Sequence, residues 1–191
     1  AEAAEAQRLL PAGEPASLAG QPERLLDARL AEGISGPDGP GQFVMHPAVS
    51  DFPQVLASQG EQAAIRYVLQ RQGMQVPPSV ESLTYDPRLS SVGRTVPVGG
   101  GRVTIAIGPE AFSSEGMLAS ALGHEQVHAA QYIQEATGTR IYDWAEWEME
   151  AYAWEIQNAG RTGLSGEAFD QTLQMWKQFA DLWRRHHGLK W

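Results

Sequence analysis

Leu122-Gly123-His124-Glu125-Gln126-Val127-His128 is the stretch from which the rest of the chain is read. Two histidines stand four residues apart, with a glutamate directly after the first. On an α-helix, positions i and i+4 lie on one face, one above the other. Both imidazoles can then reach a single ion, and Glu125, one position round from His124, leans over whatever coordination site they leave open. Zinc takes neutral imidazole nitrogen in a tetrahedral set and keeps one position free where it does chemistry. Glu125 is placed to take a proton from a water held in that position.

The flanking sequence supplies the helix. Ser113 and Ser114 are both good N-caps, and Glu115 adds negative charge to the first turn. Apolar positions Met117, Leu118, Ala121, Leu122 and Val127 carry the pattern toward Gly138, so the His pair falls mid-helix. The small residues Ala119, Ala121, Gly123, Ala129 and Ala130 surround it. Gly123 inside a helix costs about 1 kcal/mol relative to Ala, which points to a close approach by a neighbour.

Upstream the pattern changes period. Ser79–Tyr85 reads as a strand, and Arg94–Val98 and Arg102–Ile107 flank Gly99-Gly100-Gly101 as a hairpin. Before them, Ser50 caps one helix over Asp51 to Gln72, weakened at Gly60. Downstream, Asp143 caps a helix over Trp144 to Ala159 closed by Gly160, and a last helix runs from Ser165 to about His187. All six tryptophans lie in Trp144–Trp191, at helical spacings that suit core packing. The expected fold is α+β: a small antiparallel or mixed sheet, then the motif helix and two further packed helices.

The third ligand is sought one loop on. Glu148 lies 20 residues after His128, early in the next helix, and an antiparallel helix pair brings that turn beside the histidines. His2Glu is a known catalytic zinc set. Glu146 and Glu150 compete with it, although Glu150 points away from Glu148 on the same helix.

With these residues assembled, the chain resembles the gluzincins, zinc metallopeptidases that combine H-E-x-x-H with a glutamate on the following helix. The resemblance rests on His124-Glu125-Gln126-Val127-His128 and on Glu148-Met149-Glu150-Ala151, and it covers about Arg102 to Gly160. It implies a zincin-like fold, zinc on His124, His128 and Glu148, and Glu125 as general base of an endopeptidase. Compact gluzincins often carry Asp or Asn four residues after the ligand Glu, where this chain has Tyr152. The longer string through Gln131 is similar to small metallopeptidase domains of bacterial toxins and contractile-injection effectors. The family also implies an extended substrate paired along Arg102–Ile107. An oxyanion donor is sought among Tyr142, Tyr152, His186 and His187.

Composition narrows the alternatives. The chain has 191 residues, 42% hydrophobic and 19% charged, with net charge -9 and no cysteine. Any metal is therefore held by His, Asp and Glu, disulfides are excluded, and the redox compartment is left open. No basic patch announces nucleic acid, and no apolar run approaches the roughly 20 residues of a membrane span. Residues 1–41, ending in the Gly- and Pro-rich run 33–41, read as a flexible or partly helical arm, with the metallopeptidase-like domain over 42–191. His46, before Pro47, reads as an exposed loop histidine. With no initiator methionine and no signal-peptide h-region, the expectation is a processed product or a piece of a larger carrier, in keeping with a secreted or delivered effector. Two other readings stand beside the peptidase: a zinc-binding interaction or scaffold module with little or no activity, and a metal-free helical module that binds partners through its tryptophan-rich half.

Overall fold

A computed structural model describes residues 50–189. The expected arm over 1–41, its helical pieces, His46 and Trp191 lie outside these residues. Within them the fold is α+β, with five α-helices and one three-stranded sheet.

Two short helices open it, α1 (Phe52–Gln59) and α2 (Glu61–Arg71). A single helix over Asp51 to Gln72 was expected. Gly60, with φ 80° and ψ 180°, breaks it into two, because that conformation lies outside the helical well. The N-cap is Asp51 rather than the expected Ser50, and Ser50 Oγ accepts from Phe52 N–H at 3.1 Å one residue before it. The sheet follows: β1 (Val80–Tyr85), β2 (Gly93–Gly99) and β3 (Arg102–Ile107). β2 and β3 form the expected antiparallel hairpin, and β1 joins the far side of β3 in parallel, so the order is β1-β3-β2.

That order corrects one expectation. β3 is the central strand, paired on both sides, so Arg102–Ile107 offers no edge to an incoming peptide. Its inward residues Val103, Ile105 and Ile107 are almost fully buried, as a central strand requires. β2 lies at an edge of this sheet, a position compatible with Pro97, which has no N–H to donate to a ladder.

After a 3-10 turn (Pro109–Ser113) comes the long motif helix α3 (Glu115–Ala136). Ser114 is its cap, accepting from Met117 N–H at 3.0 Å. Leu118, Ala119, Ala121, Leu122 and Ala129 on α3 join the sheet and Phe52, Ala64, Ile65 and Val68 of the first two helices in one apolar core. α4 (Trp144–Thr162) is capped by Asp143, whose Oδ1 accepts from Ala145 N–H at 2.8 Å. It runs through Gly160, where it was expected to end, and closes at Gly163, whose φ of 82° is the left-handed conformation of a helix stop. α5 (Gly166–His186) packs on α4, with Phe179 against Tyr152 and Trp144.

Gly123 explains how closely α4 lies on α3. A Cβ there would stand 1.8 Å from two ring carbons of Trp154, so that indole occupies the space a side chain would need. Of the five tryptophans described, Trp183 alone is fully buried, Trp147, Trp154 and Trp176 are partly buried, and Trp144 is 58% exposed. The expectation that most serve as core therefore holds only in part.

Candidate metal centre

α3 and α4 meet where the sequence placed the candidate ligands. His124 Nε2 and His128 Nε2 are 3.0 Å apart, His124 Nε2 and Glu148 Oε2 3.5 Å, and His128 Nε2 and Glu148 Oε1 3.8 Å. An ion bonded to N and O donors at about 2.0–2.1 Å in a tetrahedron spaces them by about 3.3–3.4 Å. The separations measured here, which end on a different oxygen of the Glu148 carboxylate for each histidine, bracket that value. Among the described residues, His124, His128 and Glu148 form a cluster that can hold a metal.

The competing carboxylates are taken elsewhere. Glu146 and Glu150 both pair with Arg140, Glu150 at 2.9 Å. Each sits off the face of α4 that carries Glu148.

Both imidazoles are oriented from behind. His124 Nδ1 lies 2.7 Å from Glu155 Oε1, and Ser120 donates to the other oxygen of the same carboxylate. A carboxylate can only accept, so the proton is on Nδ1 and Nε2 faces the cluster. His128 Nδ1 lies 2.8 Å from Gln131 Oε1. The Gln131 amide nitrogen donates to the Trp147 carbonyl at 3.1 Å and to Glu150 at 3.2 Å, which fixes its oxygen toward His128. Such partners hold ring orientation and tune ligand basicity in metal sites. Tyr152 makes no such bond to either imidazole: its ring packs edge-on against His124 at 4.8 Å.

Neither supporting role was assigned from sequence. Glu155 had a readable signal, since seven residues from Glu148 is two turns along one helix face. Gln131 follows His128 at i+3, also a same-face spacing. Ser120, at i−4 from His124, carries the same kind of signal.

The electrostatics of the cluster favour one positive charge among its carboxylates. Burial would depress the His124 pKa, yet Glu148 and Glu155 outweigh it and push the value up to about 10. His128 is lowered, by burial and then by the charge on His124. Glu148 is lowered despite burial, because both histidines favour its ionised form. In the metal-free cluster one imidazolium proton supplies the positive charge that the carboxylates demand.

Glu125 lines the same cavity, which has a volume of about 600 Å³. Its carboxyl is clamped by β2. Thr95 Oγ1 lies 2.7 Å from Oε2, and a Cβ on Gly93 would stand 2.5 Å from Oε1. Burial raises the Glu125 pKa above the usual carboxylate range. Thr95 had no local sequence signal, since only the fold brings the strand to the helix.

Of the four candidate oxyanion donors, Tyr152 lines the cavity. The Tyr142 hydroxyl donates to Gln134, His186 pairs with Asp143 at 3.1 Å, and His187 turns Nδ1 to the Trp183 carbonyl. These three do not line it.

No protein-family model matches the chain, and no curated protein or solved structure matches it either.

Proposed function

We propose that the protein is a zinc-dependent endopeptidase of the gluzincin type, with a zincin-like arrangement of sheet, motif helix and glutamate-bearing helix. One observation carries this reading. Two imidazole nitrogens from α3 and a carboxylate oxygen from α4 lie within 4.8 Å of one another on the wall of a cavity that Glu125 also lines. A set of two neutral nitrogens and one anionic oxygen suits zinc, and with no cysteine in the chain no thiolate competes.

His124, His128 and Glu148 would hold the ion. Zinc bound there supplies Lewis acidity toward water and toward a peptide carbonyl. Glu125 takes the proton from the attacking water and delivers it to the leaving amine. Its raised pKa brings it nearer the working pH of a group that must both accept and release a proton. Thr95 and Gly93 hold its carboxyl in place beside the cavity. The Tyr152 hydroxyl is the donor for the carbonyl oxygen as charge builds on it.

An extended substrate pairs with β2 rather than with β3. Gly93, Arg94 and Thr95 line the cavity, and β2 has β3 on one side only in the described sheet. Main-chain hydrogen bonds along that edge would lay a peptide past Glu125. An origin as a toxin or delivered effector domain remains part of this proposal, carried by the sequence resemblance alone.

A second reading has an observation of its own. Glu125 is only 5% exposed and tied to Thr95, which also suits a glutamate that braces β2 against α3 in a zinc-binding scaffold. Glu125→Gln separates the two. The peptidase reading expects cleavage of unfolded protein to fall by about 10²–10⁴-fold while one equivalent of zinc stays bound. Wild type and variant behaving alike would leave the scaffold.

A further inference from the structure

The face of α4 that carries Glu148 continues in both directions. Tyr152 lies one turn toward the C-terminus, inside the cavity. Trp144 lies one turn toward the N-terminus, about 6 Å along the axis at 1.5 Å per residue. The rings connect. Tyr152 stacks on Phe179 of α5 with centroids 5.6 Å apart and planes 14° apart, and Phe179 meets Trp144 edge-on at 5.2 Å. Phe179 itself lines the cavity. A row of aromatic rings thus runs from His124 out to the surface and ends on Trp144.

Packing accounts for Tyr152 and Phe179, which fill the α4–α5 seam. It does not account for Trp144, which leaves 58% of its surface to water. Ile141, three residues before it, is 88% exposed. The nearby charges are already matched: Asp143 with His186, and Arg140 with Glu146 and Glu150. Around those pairs the rim presents the apolar surfaces of Ile141 and Trp144, and Trp144 reaches the cavity through its contact with Phe179.

We propose that Trp144 is a specificity-determining residue that seats an apolar or aromatic side chain of the bound peptide, one helical turn beyond Glu148. The identity of the ligand as a peptide rests on the peptidase reading. Rigid, partly exposed tryptophans give large contact area for little lost rotamer freedom, and they dominate interface energetics. A peptide that follows β2 past Glu125 and crosses the cluster leaves the cleft over this rim. The substrates favoured are extended segments with an apolar residue a few positions from the scissile bond.

The test uses fluorescent ten-residue peptides in which each position in turn is Leu, Phe or Ser. Binding is measured to the full chain with Glu125→Gln and zinc added, and cleavage by the chain with Glu125 intact. Peptides with Leu or Phe at one position should bind best. Trp144→Ser should weaken these by about tenfold and the all-serine set by less than about twofold, with the loss of turnover falling on KM, and Trp144→Phe should restore most of it. Equal losses on both sets, no loss, or no peptide bound at all would overturn the proposal. So would a change of oligomeric state with peptide affinity intact, which would give Trp144 to self-association. Trp144-dependent binding without cleavage by wild type would remove the peptidase reading and leave this one standing.

Discussion

The two halves of the candidate metal cluster are built differently. On the α3 side, His124 and His128 are nearly buried, and each ring is held from behind by its own partner, Glu155 with Ser120 or Gln131. On the α4 side, Glu148 is 29% exposed, and the partners found for its carboxylate are the two histidines themselves. The imidazoles are therefore oriented before any ion arrives, while the carboxylate can adjust its approach. On the proposed reading this is a division between a rigid wall and an adaptable third ligand, and most of the tuning of metal affinity would fall on the histidine side.

The largest expected effect comes from protons. In the metal-free protein His124 keeps its proton up to about pH 10, and a metal must displace it. Zinc affinity should therefore rise by about tenfold per pH unit, about a hundredfold between pH 6 and pH 8, measured with a competing chelator of known pH dependence. A flat profile would mean that the cluster carries no such proton. The same shift acts on stability in the opposite direction. A folded pKa raised above the unfolded value stabilises fully below about 6.5, and that contribution is lost as pH rises toward 10. The melting temperature of metal-free protein should fall across that interval, and zinc-loaded protein should not follow it.

Next come the supporting residues. Glu155→Gln keeps the shape but removes the charge behind His124, and should weaken zinc by about 10–100-fold. Gln131→Leu removes the acceptor for His128 and the donor to the Trp147 carbonyl, and should weaken it by about tenfold, at the low end of the same range. If the two variants bind zinc like wild type while Glu148→Asp does not, the division drawn above is reversed. Isothermal titration on refolded, metal-free protein reads all three.

The smallest effect tests the seam that brings the two helices together. Gly123→Ala adds a methyl where the Trp154 ring lies. It gains about 1 kcal/mol of helix propensity and loses about 1–3 kcal/mol to overpacking. The net should be a fall of a few degrees in melting temperature with zinc affinity reduced. A rise would show that Trp154 moves aside without consequence.

Much of the site could be read in the chain because its parts are periodic. His124 and His128 share a face by spacing, Ser114 and Asp143 mark helix starts by residue type, and the Gly99–Gly101 turn marks the hairpin. Glu148 followed from antiparallel helices joined by a short loop. Gly123 was legible as a close approach, though not that Trp154 makes it. The sheet order was not legible, since nothing local in β1 tells whether it pairs with β2 or crosses to β3. Thr95 was invisible for the same reason: its partner Glu125 lies 30 residues away on another element. Gly160 misled because a glycine can sit inside a packed helix, and only the backbone at Gly163 shows where the chain turns.

The central claim is that His124, His128 and Glu148 hold one zinc. X-ray absorption of the full chain, loaded with zinc at neutral pH and then desalted, tests it most directly. The account predicts one equivalent of zinc with two imidazole nitrogens and at least one carboxylate oxygen at about 2.0–2.1 Å, lost together in His128→Ala. Substoichiometric zinc, or a spectrum that His128→Ala leaves unchanged, would contradict it.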